Sequence, residues 1–265
     1  MRQEFLLAGL ALAATASAQE IVSLPTRDGV TQSFFLASMD GRKPEAAALM
    51  FIGGGGNINL RMEDGRPRFN VGNFLPRSRA EFIRNGILPV ILDNPSDQKS
   101  GDGMSDTFRR GAEHVADVRV VVAEVRRRYP TLPVFLVGTS RSTISIAHLA
   151  RVMQGEVKGG VLSSSLFTLT NKLRVQPMLD SFDWSTARIP LLFVHHREDA
   201  CFATPYMSAA ALAGRFPLVS VTGGKPPESG PCDPFSAHGF FGRESATVDA
   251  IAAWMLGKSF AKDIE

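Results

Sequence analysis

Seven short apolar runs, separated by stretches with helical periodicity, restrict this chain more than any other feature. They are SFFLA (33–37), AAALMFI (46–52), ILPVIL (87–92), PVFLVG (133–138), GGVLSSS (159–165), IPLLFVH (189–195) and PLVSVTG (217–223). Several are apolar throughout instead of alternating, which is the pattern of strands covered on both faces. Between them, residues 111–129 place Val115, Val118, Val121, Val122 and Val125 on one helical stripe. Residues 142–153, 205–215 and 245–257 also read as helices. This alternation predicts a three-layer α/β fold with a mostly parallel central sheet and helices on both faces. In such sheets, functional groups lie in the loops beyond the carboxyl ends of the strands.

The chain has 265 residues, 44% hydrophobic and 21% charged, enough apolar material for one sizeable core. Its start, MRQEFLLAGLALAATASAQE, carries Arg2, an apolar stretch from Phe5 to Ala14, and small residues at Ala16 and Ala18 suited to a cleavage site. Residues 1–18 therefore read as a secretory signal, followed by a single domain over 19–265, with a periplasmic or secreted location. The stretch is well short of the ~20 apolar residues a membrane span requires. In an exported chain, two cysteines in all, Cys201 and Cys232, suggest one disulfide between them. The net charge of +3 comes from arginines without a basic stripe, aromatic interleaving or zinc spacing, so no nucleic-acid partner is expected. The arginines at 126–128 close a predicted helix, where cations suit the dipole.

The loops after the strands carry the chemistry. After PVFLV come Gly138, Thr139, Ser140, Arg141 and Ser142, then a helical pattern. A serine on a sharp strand-to-helix turn exposes its Oγ and needs small residues two before and two after, which Gly138 and Ser142 provide. The run AAALMFI ends in four glycines, Gly53 to Gly56, where backbone amides can turn toward a ligand. A phosphate loop would continue into G-K-[ST], and GGGNINL does not. Asp199 follows IPLLFVH by a few residues, and His238 precedes the last predicted helix.

These four pieces resemble the α/β-hydrolase superfamily of serine hydrolases, esterase-like members in particular. GTSRS is similar to the nucleophile elbow, with Ser142 where a second glycine is usual, and IGGGGN is similar to the oxyanion loop, with Ile52 in place of a histidine. The resemblance implies Ser140 as nucleophile, Asp199 as acid and His238 as base, in the chain order of that superfamily. It implies an oxyanion hole from the amides of Arg141 and of Gly54, Gly55 and Gly56. The reaction implied is ester cleavage through an acyl-enzyme, on a small-molecule or polymeric ester, with neither metal nor organic cofactor. Glu198 is the alternative acid. A serine peptidase or amidase of the same fold, and a binding module that kept the fold without catalysis, remain as rival readings.

Cys201 lies two residues past the expected acid and Cys232 six before the expected base, so a bridge would tie the two loops together. His195 and His196 precede the acid and are expected to be structural. His114 and Asp117, at i and i+3 on a helix, are placed to pair locally. About two dozen residues between GGVLSSS and IPLLFVH are too few for a helical cap, so the cleft is expected to be open, with Leu166, Phe167 and Trp184 as apolar lining. Arg61, Arg66 and Arg68, and Asp97, Asp102 and Asp106, read as solvated loop residues.

Overall fold

The computed structural model describes residues 19–171 and 174–265; the expected leader, residues 1–18, lies outside them. All seven apolar runs form strands of one nine-stranded sheet: β2 (Val30–Leu36), β3 (Ala46–Phe51), β4 (Ile87–Leu92), β5 (Val134–Thr139), β6 (Gly159–Ser163), β7 (Leu191–His196) and β8 (Leu218–Val221). Two further strands close its edges, β1 (Glu20–Arg27) and the two-residue β9 (Asp263–Ile264). The spatial order is β1-β2-β4-β3-β5-β6-β7-β8-β9, antiparallel over β1, β2 and β4 and parallel from β4 onward. β1 escaped the sequence reading because its residues are mostly half-buried on an outer edge, without a continuous apolar run.

Strand side chains alternate between two cores. Ala47, Leu49 and Phe51 of β3 face one, and Ala46, Ala48 and Met50 the other. Helices α4 (Ala112–Arg128) and α5 (Thr143–Val152) cover the first face through Val118, Val121, Val122, Val125, Ile146 and Leu149. On the second lie the short helices α1 (Phe74–Arg77) and α2 (Arg79–Arg84), with α7 (Glu244–Met255), through Phe74, Phe82, Val248 and Ile251. Two five-residue helices complete the set, α3 (Asp106–Arg110) and α6 (Tyr206–Ala210). The helix expected over 205–215 thus stops at Ala210 and continues as turns. Among the described residues, only a small hairpin and two short 3₁₀ turns stand between β6 and β7, so the sheet carries no cap domain there. Among the described residues no helix is long and apolar enough to cross a membrane.

The buried stripe of α4 is rotated from the expected one to include His114 and Asp117. The two do not pair: Asp117 takes a bidentate contact from Arg27 of β1, at 2.9 and 3.0 Å. His114 sits between Phe51 and Phe108, with neither ring nitrogen bonded among the described residues. Burial, with Arg109 and Arg27 nearby, lowers its pKa to about 3; burial does the same to His195, against the opposing pull of Asp199. Because folding keeps these rings neutral, the unfolded chain binds more protons below pH 6.5 and stability falls as the pH drops from there toward 3. At pH 5 each ring is expected to cost about 2 kcal/mol. Denaturant melts at pH 7 and pH 5 check this: His114→Phe, which suits the aromatic surroundings, should lose about 2 kcal/mol less than the wild type on acidification.

Candidate active site

Strand β5 ends at Thr139, and the chain turns at once into a 3₁₀ turn, Ser140–Ser142, that leads into α5. Ser140 takes φ +55, a left-handed conformation that costs an L-residue roughly 1–2 kcal/mol. The small neighbours make the turn possible. A Cβ on Gly138 would fall 2.5 Å from Ile146 Cγ1, so only glycine fits there. Ser142 is fully buried, and its hydroxyl has a role that glycine would lack: it accepts from the Thr139 amide (2.9 Å) and donates to the Phe51 carbonyl (2.6 Å). This bond ties the turn to the end of β3, where the glycine loop begins.

Gly53 passes so close to the turn that a Cβ on it would stand 3.0 Å from Ser140 Cβ and 3.5 Å from Asn73 Nδ2. Gly53, Gly54, Asn73, Ser140 and His238 all line one cavity of about 290 Å³, together with Asn57, Asn70 and Asp233. Gly55 and Gly56 differ from expectation and do not line it. The loop folds back beyond Gly54 onto the segment after β4, where a Cβ on Gly55 would fall 2.3 Å from the Asp102 carbonyl oxygen. The Gly56 amide is consumed by the Gly53 carbonyl (3.2 Å). Arg141 follows Ser140 in the first turn of the helical segment, and its side chain is paired with Asp106 (2.7 Å).

Asp199 and His238 meet although they lie on separate loops. His238 Nδ1 is 3.0 Å from Asp199 Oδ2, and both side chains are almost entirely buried. The other Asp199 oxygen accepts from the Cys201 amide (2.9 Å), and the Thr204 hydroxyl donates to Oδ2 (2.7 Å) while lying 3.2 Å from His238 Nδ1. Glu198, the alternative acid, instead accepts from the Gly223 amide (3.2 Å), away from His238. The backbone of His238 is held as firmly as its ring. Ser164 Oγ donates to its carbonyl (2.8 Å), and Ser236 Oγ accepts from its amide (3.2 Å). Arg77 of α1 donates to the carbonyls of Gly239 (2.9 Å), Pro234 (3.1 Å) and Gly72. His195 is structural: its Nε2 accepts from the Ser165 amide (2.9 Å).

Cys201 and Cys232 form a disulfide, with Cα atoms 4.6 Å apart, that joins the Asp199 loop to the His238 loop. Replacing both by serine opens a link across a sequence separation of 31. The chain-entropy account puts the loss at about 3–4 kcal/mol, or about 10 °C in Tm, measurable by thermal melts of the two proteins.

The apolar lining expected from Phe167 and Trp184 is not found. Both pack into the core around Phe193, Phe167 stacked on its ring and Trp184 edge-on at 5.2 Å. Leu166 belongs to a small apolar cluster with Ile144, Met178, Cys201 and Ala203. Among the described residues no three His, Cys, Asp or Glu side chains are grouped to hold a metal.

A family model described as serine aminopeptidase, S33, matches residues 78–223, a span that includes the Ser140 turn and Asp199. The chain belongs to this family. No curated protein matches this S33-family hydrolase. Among solved structures it is similar to Est1E from Butyrivibrio proteoclasticus, at 12% identity and TM-score 0.60, over 89% of this chain and 98% of that one. It is also similar to a Xanthomonas campestris protein described as an α/β serine hydrolase without lid, at 15% identity and TM-score 0.53, over 92% and 97%. A third is a cold-adapted esterase from an Arctic intertidal metagenomic library, at 14% identity and TM-score 0.51, over 94% and 98%. Identities this low establish the shared α/β-hydrolase fold, which here, as in the second of these, lacks a cap.

Thr204, Ser164, Arg77 and Asn73 are the residues that sequence reasoning missed. Thr204 alone left a trace, as a hydroxyl just before the proline that opens α6. The others are distant in sequence from the loops they support.

Proposed function

We propose that the protein is an exported serine esterase that works through an acyl-enzyme on Ser140. The observation that carries this reading is a left-handed serine on a strand-to-helix turn, sharing a cavity with a histidine whose Nδ1 meets a buried carboxylate. Asp199 fixes the His238 tautomer with its proton on Nδ1, leaving Nε2 to accept the Ser140 proton. The serine oxygen attacks the ester carbonyl, and amides of Arg141 and the Gly53–Gly54 segment stabilise the oxyanion. His238 returns the proton to the departing alcohol, and water repeats the sequence to release the acid. The reaction calls for neither metal nor organic cofactor. Export is supported by the leader pattern at residues 1–18 and by the disulfide, since such bonds persist in oxidising compartments.

The modest cavity, lined by three asparagines, favours a short or polar acyl group, and the Arctic metagenomic neighbour is described as an esterase. A second reading, aminopeptidase, is favoured by the family description and by Asp233, the one carboxylate among the cavity's lining residues, which suits a substrate α-ammonium. Turnover of p-nitrophenyl esters from acetate to long acyl chains, beside aminoacyl p-nitroanilides, decides between them. Short-chain esters are expected to be cleaved and anilides left intact. Anilide cleavage that Asp233→Asn abolishes would establish the peptidase instead.

A further inference from the structure

Arg109, in the last turn of α3, is 1% exposed, yet no carboxylate oxygen bonds it among the described residues. Its Nη2 donates to the Gly54 carbonyl (2.9 Å), its Nη1 reaches Ser145 Oγ at 3.4 Å, and its Nε has no partner among the described residues. Burial and the nearby Arg141 push its pKa down to about 10, which still leaves it a cation at neutral pH. Asp106 opposes that shift only in part and does not bond the guanidinium. A buried charge without a bonded counter-ion is expensive, and a methionine of similar length would fill the same space without that cost. Its placement calls for a reason other than stability.

The reason lies in the acceptor. Three successive carbonyls of the glycine loop are each held: Gly53 by the Gly56 amide (3.2 Å), Gly54 by Arg109, and Gly55 by the Met104 amide (2.9 Å) and Asn94 Nδ2 (3.0 Å). In a planar trans peptide the N–H points opposite to the C=O. Fixing the Gly53 carbonyl therefore aims the amide of Gly54, a cavity-lining residue, the other way, and that amide has no acceptor among the described residues; the bond from Arg109 to the Gly54 carbonyl anchors the same residue from its other side. The same short helix holds the opposite side of the site, since Asp106 at its start accepts from Arg141 Nε (2.7 Å).

We propose that Arg109 is a positioning residue that anchors Gly54 by its carbonyl, so that the Gly54 amide stays aimed at the oxyanion forming beside Ser140. Helix α3 then acts as a clamp, fixing the glycine loop through Arg109 and the Ser140 turn through Asp106. The inference rests on the acyl-transfer reading above. It predicts a loss confined to the transition state, because the ester carbonyl of the bound substrate gains little from donors placed for an oxyanion.

The test uses p-nitrophenyl acetate kinetics and inhibition by a trifluoromethyl ketone, whose adduct with serine carries the oxyanion. In Arg109→Met, kcat is expected to fall by about 10²-fold, with KM within about twofold of wild type and the ketone Ki raised in parallel with the loss in kcat. Arg109→Lys, which keeps a buried donor without the planar fork, should recover part of the rate. Unchanged kcat in a folded Arg109→Met, or a ketone Ki that does not follow kcat, overturns the proposal. If the methionine variant does not fold, Arg109→Lys decides alone, and wild-type kcat in it overturns the proposal. Wild-type turnover that persists in Ser140→Ala removes the acyl-transfer reading and this inference with it, whereas Ser140-dependent turnover that survives Arg109→Met removes the inference alone.

Discussion

Ser140→Ala is expected to lower kcat/KM for a short p-nitrophenyl ester by at least about a thousandfold, leaving only the rate that the oxyanion donors and binding supply. The fold should be unaffected, because among the described residues the serine is held through its backbone, with its carbonyl accepting from Thr143 Oγ1 (2.6 Å). The left-handed φ of +55 sharpens the prediction. Ser140→Gly should lose the same activity and yet gain about 1 kcal/mol in stability, since glycine adopts that conformation without the Cβ penalty. A gain in stability together with a loss of activity is the signature of strain held at a functional position. Equal turnover by wild type and Ser140→Ala would assign the chemistry to another group.

Asp199→Asn carries the second large effect, a fall in kcat of about 10⁴-fold. The surroundings determine which way the new amide must face. The Cys201 amide donates to Oδ1, so the asparagine oxygen takes that side and its NH₂ turns toward His238 Nδ1. The imidazole then accepts at Nδ1 and carries its proton on Nε2, where it can no longer take one from Ser140. Thr204, which now donates to Oδ2, can turn to accept from the amide, so the variant should remain folded. A full kinetic profile beside thermal melts would separate this tautomer effect from a loss of structure, which would lower the apparent kcat through the folded fraction alone.

Much of this arrangement was legible in the sequence, for physical reasons that also mark where the reading stopped. Strands buried on both faces show themselves as uninterrupted apolar runs, so β2 to β8 were all visible, while the half-exposed edge strand β1 and the two-residue β9 were not. Ser140 and Asp199 were singled out because each follows a strand closely, and His238, well past β8, by its place in chain order before α7. The disulfide followed from the cysteine count. The glycine loop was located, but its register was not: which glycine faces the cavity depends on the Asp102–Gly103 segment packed against Gly55, a contact between loops distant in sequence. Phe167 and Trp184 were assigned to the cleft because an aromatic residue in a loop reads the same whether it lines a pocket or stacks on Phe193. Arg109 and its neighbour Arg110 look identical on the page, yet one is buried against Gly54 and the other exposed.

The most direct test of the central claim is to treat the folded protein with a fluorophosphonate and map the adduct by mass spectrometry after trypsin. Peptide 129–141 should carry a single label on Ser140, and labelling should fall sharply in Asp199→Asn and His238→Ala. A native protein that takes no label, or that takes it on another residue, would contradict the assignment of Ser140 as the nucleophile.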